Sequence, residues 1–183
     1  MAEAFSNSIT RAAGAVTTKS GSTIGAASTE ITVTAATGIG VSDLIDNQNF
    51  IAGTRVAQIS GTTVYADRNS TNSASASTQT VKFLGPTTAY TSPAATKSII
   101  IGGTFANNTN SSVNLTLEVL DTSVGVTSTG AVSIASKIPV PAGSSFVISD
   151  TGKTLLESTD ELRIYCDVDN AIDASLSILT GVN

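Results

Sequence analysis

The chain has 183 residues, of which 40% are hydrophobic, so it is long and apolar enough to bury a core, which excludes wholesale disorder. Its net charge of −5, with no run of Lys or Arg, argues against binding nucleic-acid phosphates or an anionic membrane surface. The single cysteine, Cys166, excludes an internal disulfide. Only 13% of the residues are charged, which indicates that partner proteins cover part of the uncharged surface.

Residues 1–28 show no sustained hydrophobic period. They are small and polar, with a few widely spaced apolar side chains, and they predict either a flexible leader or an extended arm that orders on a neighbouring subunit. In such an arm Phe5, Ile9 and Arg11 are the candidate protein contacts. Deleting residues 1–25 is then expected to weaken binding without unfolding the protein. The segment also lacks a basic stretch followed by an apolar run, so no secretory signal is expected.

Residues 29–85 predict a small β domain. Apolar and polar residues alternate over 31–34, which is typical of a half-buried strand. The segment 56–65 contains two short apolar runs around Ser-Gly-Thr and predicts a hairpin. Residues 86–95 carry two prolines among Thr, Ser and Ala, and they predict a linker.

Residues 96–183 have the clearest alternation. Apolar side chains occupy every second position over 113–119, 162–168 and 172–178, and turn residues, among them Asp150-Thr151-Gly152, separate the segments. About seven short strands with this spacing favour an antiparallel β-sandwich, immunoglobulin-like or jelly-roll-like. The predicted fold class is therefore all-β: an N-terminal extended arm, a small β domain and a sandwich.

The chemistry available to the side chains argues against an enzyme and against a cofactor. The chain has no His, which removes the usual general base, the partner of Ser or Cys nucleophiles and the commonest metal ligand. Alternation turns Cys166 inward, as a small core residue. Asp167, Asp169 and Asp173 supply oxygen ligands for a candidate Ca²⁺ site, but their spacing is not that of an EF-hand loop, and solvated hairpin carboxylates are commoner.

Arg163 and Tyr165 are predicted to share the outward face of one strand. An exposed Tyr beside an Arg is typical of a protein contact, so both join the candidate contact residues. The alternative is ordinary cross-strand packing within the domain.

Several motifs resemble those of tailed-bacteriophage virion structural proteins. In the first domain they are G-I-x-V-x-D-L-I-D at Gly38–Asp46 and I-x-G-T-R-V-x-x-I-S-G-T-T-V at Ile51–Val64. In the second they are I-I-I-G-G-T-F-A-N-N-T at Ile99–Thr109 and I-P-V-P-A-G-S-S-F at Ile138–Phe146, followed by D-E-L-R-I-Y-C-D and D-A-S-L-S-I-L. These segments resemble capsid decoration (cement) proteins and head or tail accessory proteins.

The resemblance implies a non-enzymatic component of the virion, assembled in the host cytoplasm. It implies a decoration protein that binds the outer surface of the head and stabilises it, with the major capsid protein or other virion proteins as partners, as a homotrimer or a larger ring. A neck or tail component, such as a connector, terminator or fibre-attachment protein, is the alternative. Outside this class stand a surface adhesin and a carbohydrate-binding β module, the latter disfavoured because there is no Trp to stack on a sugar.

Overall fold

Strands and turns make up the regular structure. The computed structural model of the chain describes residues 3–124, 130–149 and 153–182. Within these residues every strand pairing is antiparallel, and the helical structure is one 3₁₀ turn, Thr122–Val124. The strands are β1 Ala4–Ala13, β2 Ala15–Ile24, β3 Glu30–Thr32, β4 Leu44–Asp46, β5 Val56–Ser60, β6 Thr63–Ala66, β7 Ala76–Gly85, β8 Thr87–Thr91, β9 Lys97–Asn107, β10 Val113–Leu120, β11 Ala131–Val140, β12 Ser145–Ile148, β13 Thr154–Leu156, β14 Glu161–Cys166 and β15 Ile172–Val182.

The predicted all-β class is confirmed, as are the strands predicted from alternation. The predicted hairpin is β5–β6, in which Ser60 pairs with Thr63 across a two-residue loop. Gly61 in that loop has a φ of +60°, a conformation that glycine adopts without steric cost. The predicted turn at residues 150–152 lies outside the described residues.

The first unit runs to Gly14 and resumes at Thr87. It contains a five-stranded sheet in the order β1-β15-β9-β12, with β13 also paired to β9, and a four-stranded sheet in the order β11-β10-β14-β8. Buried side chains from both sheets form one hydrophobic cluster, in which Phe105, Leu117 and Ile164 are fully buried. Two sheets that share one core are the layers of the predicted sandwich.

The second unit, Ala15–Pro86, contains a six-stranded sheet in the order β4-β7-β2-β3-β6-β5. Its core is a separate cluster in which Ile24, Ile31 and Phe83 are fully buried. The predicted small β domain is therefore present, but it begins at residue 15 and not at residue 29, since β2 is one of its strands.

The predicted N-terminal arm is wrong. Residues 4–13 form β1, which pairs with β15 from Ala4↔Thr180 to Ala13↔Ile172, and residues 15–24 form β2, which pairs with both β7 and β3. Deletion of residues 1–25 would remove a strand from each unit, so we now expect it to destabilise the fold of both units. The sequence hid β1 because the residues it turns towards the opposite sheet are Ser and Thr.

The predicted linker at residues 86–95 is wrong as well. Residues 87–91 form β8, which pairs with β14 at the edge of the four-stranded sheet, and Ala89 is buried in the core. Thr and Tyr both suit strands, and the prolines flank β8 without interrupting it.

The chain passes from the first unit into the second at Gly14, where only glycine fits. Its φ is +123°, and a Cβ at this position would lie 2.5 Å from the carbonyl oxygen of Val168. In the described part of the chain, no helix has the length and apolar character needed to cross a membrane.

Candidate protein-contact surface

Strand β1 carries its large apolar side chains on the outside of the first unit. Phe5 is 81% exposed and Ile9 is 79% exposed. The even-numbered side chains over residues 4–10 of β1 turn towards the opposite sheet, where the hydroxyls of Ser8 and Thr10 donate to the carbonyl oxygen of Ala89 at 2.9 and 3.4 Å. A strand that buries hydroxyls and exposes Phe and Ile reverses the usual orientation of a sandwich strand.

The neighbouring strands continue this apolar surface. Phe5 pairs with Leu179, Leu179 with Ile99, and Ile99 with Leu155, so one row crosses β1, β15, β9 and β13 on the outer face of the five-stranded sheet. Leu155 is 49% exposed, and Ile99 and Leu179 are half-buried.

A second row crosses the same face four residues further along β1, and a row that begins with Asn7 separates the two. The second row starts at Ile9, passes through Ser175 and Thr104, and ends at Val147, which is 55% exposed. The apolar members of the two rows are here called the outer apolar face: Phe5, Ile9, Ile99, Val147, Leu155 and Leu179.

Adjacent apolar residues produce the first row. Ile99-Ile100, Leu155-Leu156 and Ile178-Leu179 each place one side chain in the core and the next on the outside, because successive strand residues point to opposite faces. Ile100, Leu156 and Ile178 are buried. These doublets on neighbouring strands are the sequence signal for an apolar outer face, which single-strand alternation missed.

The sequence-predicted contact residues divide into two groups. Phe5, Ile9 and Arg11 are all exposed on β1, although they belong to a paired strand and not to an arm. Arg163 is mostly buried, and its Nε donates to Oε2 of Glu161 at 2.8 Å.

Tyr165 is a correction, because its side chain is fully buried. It pairs with Thr116, which is also buried, and it is not part of the core cluster that contains Ile164 and Cys166. Alternation gives the direction of a side chain, but it does not say whether the face it points to is covered. Tyr165 therefore cannot form the exposed contact that the sequence predicted with Arg163.

The candidate Ca²⁺ ligands do not converge. Asp167 accepts hydrogen bonds from the backbone N–H and the side-chain amide of Asn114, both at 2.8 Å. Asp173 accepts one from the backbone N–H of Ala12 at 2.8 Å, beside the other sheet. Among the described residues no group of three His, Cys, Asp or Glu side chains could hold a metal ion, and Asp169 belongs to no such group.

Cys166 and Glu118 are two of the ionisable side chains that the fold buries. Burial, and then the charge of Asp167, raise the pKa of the Cys166 thiol to about 12, so it stays protonated near neutral pH. Glu118 is fully buried on the same face of the four-stranded sheet as Thr116, and its Oε1 accepts a hydrogen bond from Ser133 at 3.1 Å. Sequence reasoning missed Glu118, because alternation placed it on a face that was taken to be solvated.

A cavity of about 340 Å³ lies in the first unit, where the edges β11 and β12 of the two sheets meet. Its apolar lining comes chiefly from Ile134, Phe146 and Ile148, and Lys153 is the one charged side chain among the described residues that line it. Such a lining offers van der Waals contact and a single positive charge, without a pair of groups for acid–base work.

Comparison with known proteins adds no relative: no protein-family model, no curated protein and no solved structure matches the chain. Among the described residues no element covers the outer apolar face, in which Phe5, Ile9, Val147 and Leu155 are 49–81% exposed.

Proposed function

We propose that this chain is a non-enzymatic structural protein of a tailed-phage virion, a capsid decoration protein that binds the outer surface of the head and stabilises it. The observation that carries the proposal is the first row of the outer apolar face, in which Phe5, Leu179, Ile99 and Leu155 lie side by side on four strands, on the outside of a folded sheet. Contiguous exposed apolar surface on a folded domain marks a site that another protein covers. The resemblance of segments in both units to tailed-phage virion proteins is what favours a virion partner.

The mechanism is mechanical. A side chain such as Phe5 or Leu155 contributes roughly 1.5–3 kcal/mol when an exposed position becomes fully buried. Part of that gain offsets the loss of translational and rotational freedom on binding. A protein that binds the assembled shell and not its free subunits shifts the equilibrium towards the shell by mass action.

Gold labelling of intact particles with an antibody against this protein tests the proposal. Gold distributed over the whole head supports decoration. Gold confined to one vertex or to the tail overturns the decoration role in favour of a neck or tail component. Particles without label, with the epitope shown to be accessible, overturn the virion role altogether.

A matched pair of substitutions tests the outer apolar face itself. Leu155→Ser removes an apolar side chain from the face, whereas Val41→Ser makes a comparable change at a position that is 59% exposed in the second unit. In co-sedimentation with particles stripped of the protein, the Leu155 variant should bind roughly 5- to 30-fold more weakly, and the Val41 variant should bind like the unaltered protein. Equal binding by all three proteins would contradict the assignment of this face.

A further inference from the structure

Strand β1 is the edge of the five-stranded sheet. It pairs with β15 on one side, and no strand among the described residues pairs with its other side. Folded proteins usually protect such an edge with Pro, with several charged residues, with a β-bulge or by keeping the strand short. β1 has ten residues, contains no Pro and carries one charged side chain, Arg11, and its one irregularity lies at the far end, between Thr10 and Ala13, so residues 4–10 form a regular edge. Its open backbone groups are therefore available to another strand.

The sequence around β1 is complementary to itself. It reads E-A-F-S-N-S-I-T-R from Glu3 to Arg11, with Asn7 at the centre. In antiparallel pairing, residues at equal distances on either side of the centre lie opposite each other. Two copies paired about Asn7 thus place Glu3 opposite Arg11, Phe5 opposite Ile9 and Asn7 opposite itself, whereas Ala4 and Thr10 are the one unmatched pair.

The matched residues share one face of the sheet. Phe5, Asn7 and Ile9 pair with the outward-facing residues of β15, so all three point outward. In the two-fold arrangement Phe5 lies opposite Ile9 of the second copy, which gives two apolar cross-strand contacts. The Asn7 side chains of the two copies meet at the centre, and amide groups pair well with each other because each has both donors and an acceptor.

The charges at the two ends are complementary as well. Arg11 of one copy falls opposite Glu3 of the other, which gives two symmetric cross-strand ion pairs. Both side chains are exposed, and in the described part of the chain neither has an ion-pair partner of its own. A displacement of the register by two residues would separate these charges and would also separate Phe5 from Ile9.

We propose that two copies of this chain pair through β1, antiparallel and centred on Asn7, so that their five-stranded sheets become one continuous sheet. The occupant of the edge is a second copy, since both the apolar and the charged positions of the strand complement themselves. This pairing is independent of the virion role.

The size of the contact sets its strength. A ten-residue edge is about 33 Å long, and a strip of that length and ~10 Å wide is smaller than the roughly 800 Å² per partner of a standard interface. With so small an area, most of the binding free energy must come from the backbone hydrogen bonds between the two strands and from the matched outward side chains. We therefore expect a dissociation constant in the micromolar range.

Analytical ultracentrifugation and native mass spectrometry of the purified full chain over roughly 1 to 100 μM test the pairing. A concentration-dependent dimer is expected. A monomer throughout this range overturns the proposal, and so does a trimer or larger ring without a dimer.

Charge reversal tests the register. Arg11→Glu, or Glu3→Arg, places like charges opposite each other twice and should weaken the dimer roughly 5- to 30-fold. The double variant E3R/R11E restores both ion pairs and should recover most of the affinity. Additive weakening in the double variant would overturn the pairing. Because Glu3 and Arg11 are exposed in each copy, these substitutions should not affect the folding of the monomer.

A cysteine at the centre gives a second readout. Asn7→Cys places two thiols opposite each other, and the Cα separation of facing residues in antiparallel strands, about 4.5–5.5 Å, is within the range for a disulfide. Ser175→Cys is the matched control, because Ser175 is exposed on the same face but on the inner strand β15. Native Cys166 is buried and adds no background. The Asn7 variant should form a covalent dimer under mild oxidation at low micromolar concentration, and failure to exceed the Ser175 control would overturn the proposal.

Discussion

Replacing Phe105 by Ala tests the core of the first unit. The ring is fully buried, its centroid lies 6.4 Å from that of Phe146, and it packs against Gly103, where an added Cβ would come within 3.3 Å of Cε2. Removing roughly 150–200 Å² of buried ring at about 25 cal/mol per Å² costs about 4–5 kcal/mol. Any cavity that the surrounding residues do not fill adds to this cost, so we expect a loss of unfolding free energy towards the upper end of the roughly 3–5 kcal/mol typical of buried Phe→Ala changes.

The matched control is Phe5→Ala, the same chemical change at a side chain that is 81% exposed. Hydrogen exchange resolved by peptide separates the units, because residues 97–107 report on the first unit and residues 76–85 on the second. At a protein concentration below the dimer range, Phe105→Ala should reduce protection in the first unit, and Phe5→Ala should change the unfolding free energy by less than about 0.5 kcal/mol. Equal effects of the two substitutions would refute the assignment of inner and outer faces.

Three further predictions follow from the fold and from the buried ionisable groups. Deleting residues 1–25 should abolish cooperative unfolding of both units in circular dichroism, whereas deleting residues 1–3 should not; a cooperative transition in the longer deletion would contradict the placement of β1 and β2. Burial raises the pKa of Asp43 above its ordinary 3.8, despite a hydrogen bond from the Gly40 N–H. The contribution of Asp43 to stability should therefore fall as the pH rises from about 3.8 through the higher pKa of the folded state. Asp43→Asn should remove this pH dependence, and a urea midpoint that varies with pH in the same way in the variant would contradict the role of Asp43. Cys166 should react with a thiol reagent at the rate of unfolding, since its thiol is buried and protonated; rapid labelling of the folded protein would show that it is accessible.

The strands that the sequence predicted correctly are those with a core on one side. Along β14 and β15, Leu162, Ile164, Leu176 and Ile178 alternate with less apolar residues and are buried, so their period reports the direction of the core. The β5–β6 hairpin was predicted for a different reason, since its turn chemistry is local.

The features that the sequence concealed depend on contacts between distant segments. β1 pairs with β15, more than 150 residues away, and its core-facing hydroxyls bond to Ala89, so nothing in its own ten residues shows which side is inside. The exposure predicted for Tyr165 was wrong for a related reason. The direction of its side chain follows from alternation, but whether that face of the sheet is covered depends on the rest of the chain. The point in the sequence at which the second unit is inserted into the first cannot be read from composition, because β1 and β2 follow each other without a linker.

Strand β1 is an edge strand of the first unit and is also the basis of the proposed contacts, and the two roles use different atoms. To the core it contributes Ala13, and its remaining attachment is the backbone ladder to β15 with the hydroxyls of Ser8 and Thr10. Its large side chains, Phe5 and Ile9, contribute almost nothing to the monomer, because an exposed apolar group gains no transfer free energy on folding. Polar substitutions at these two positions are therefore expected to remove association while leaving the fold intact, whereas substitutions that remove the ladder are expected to abolish both.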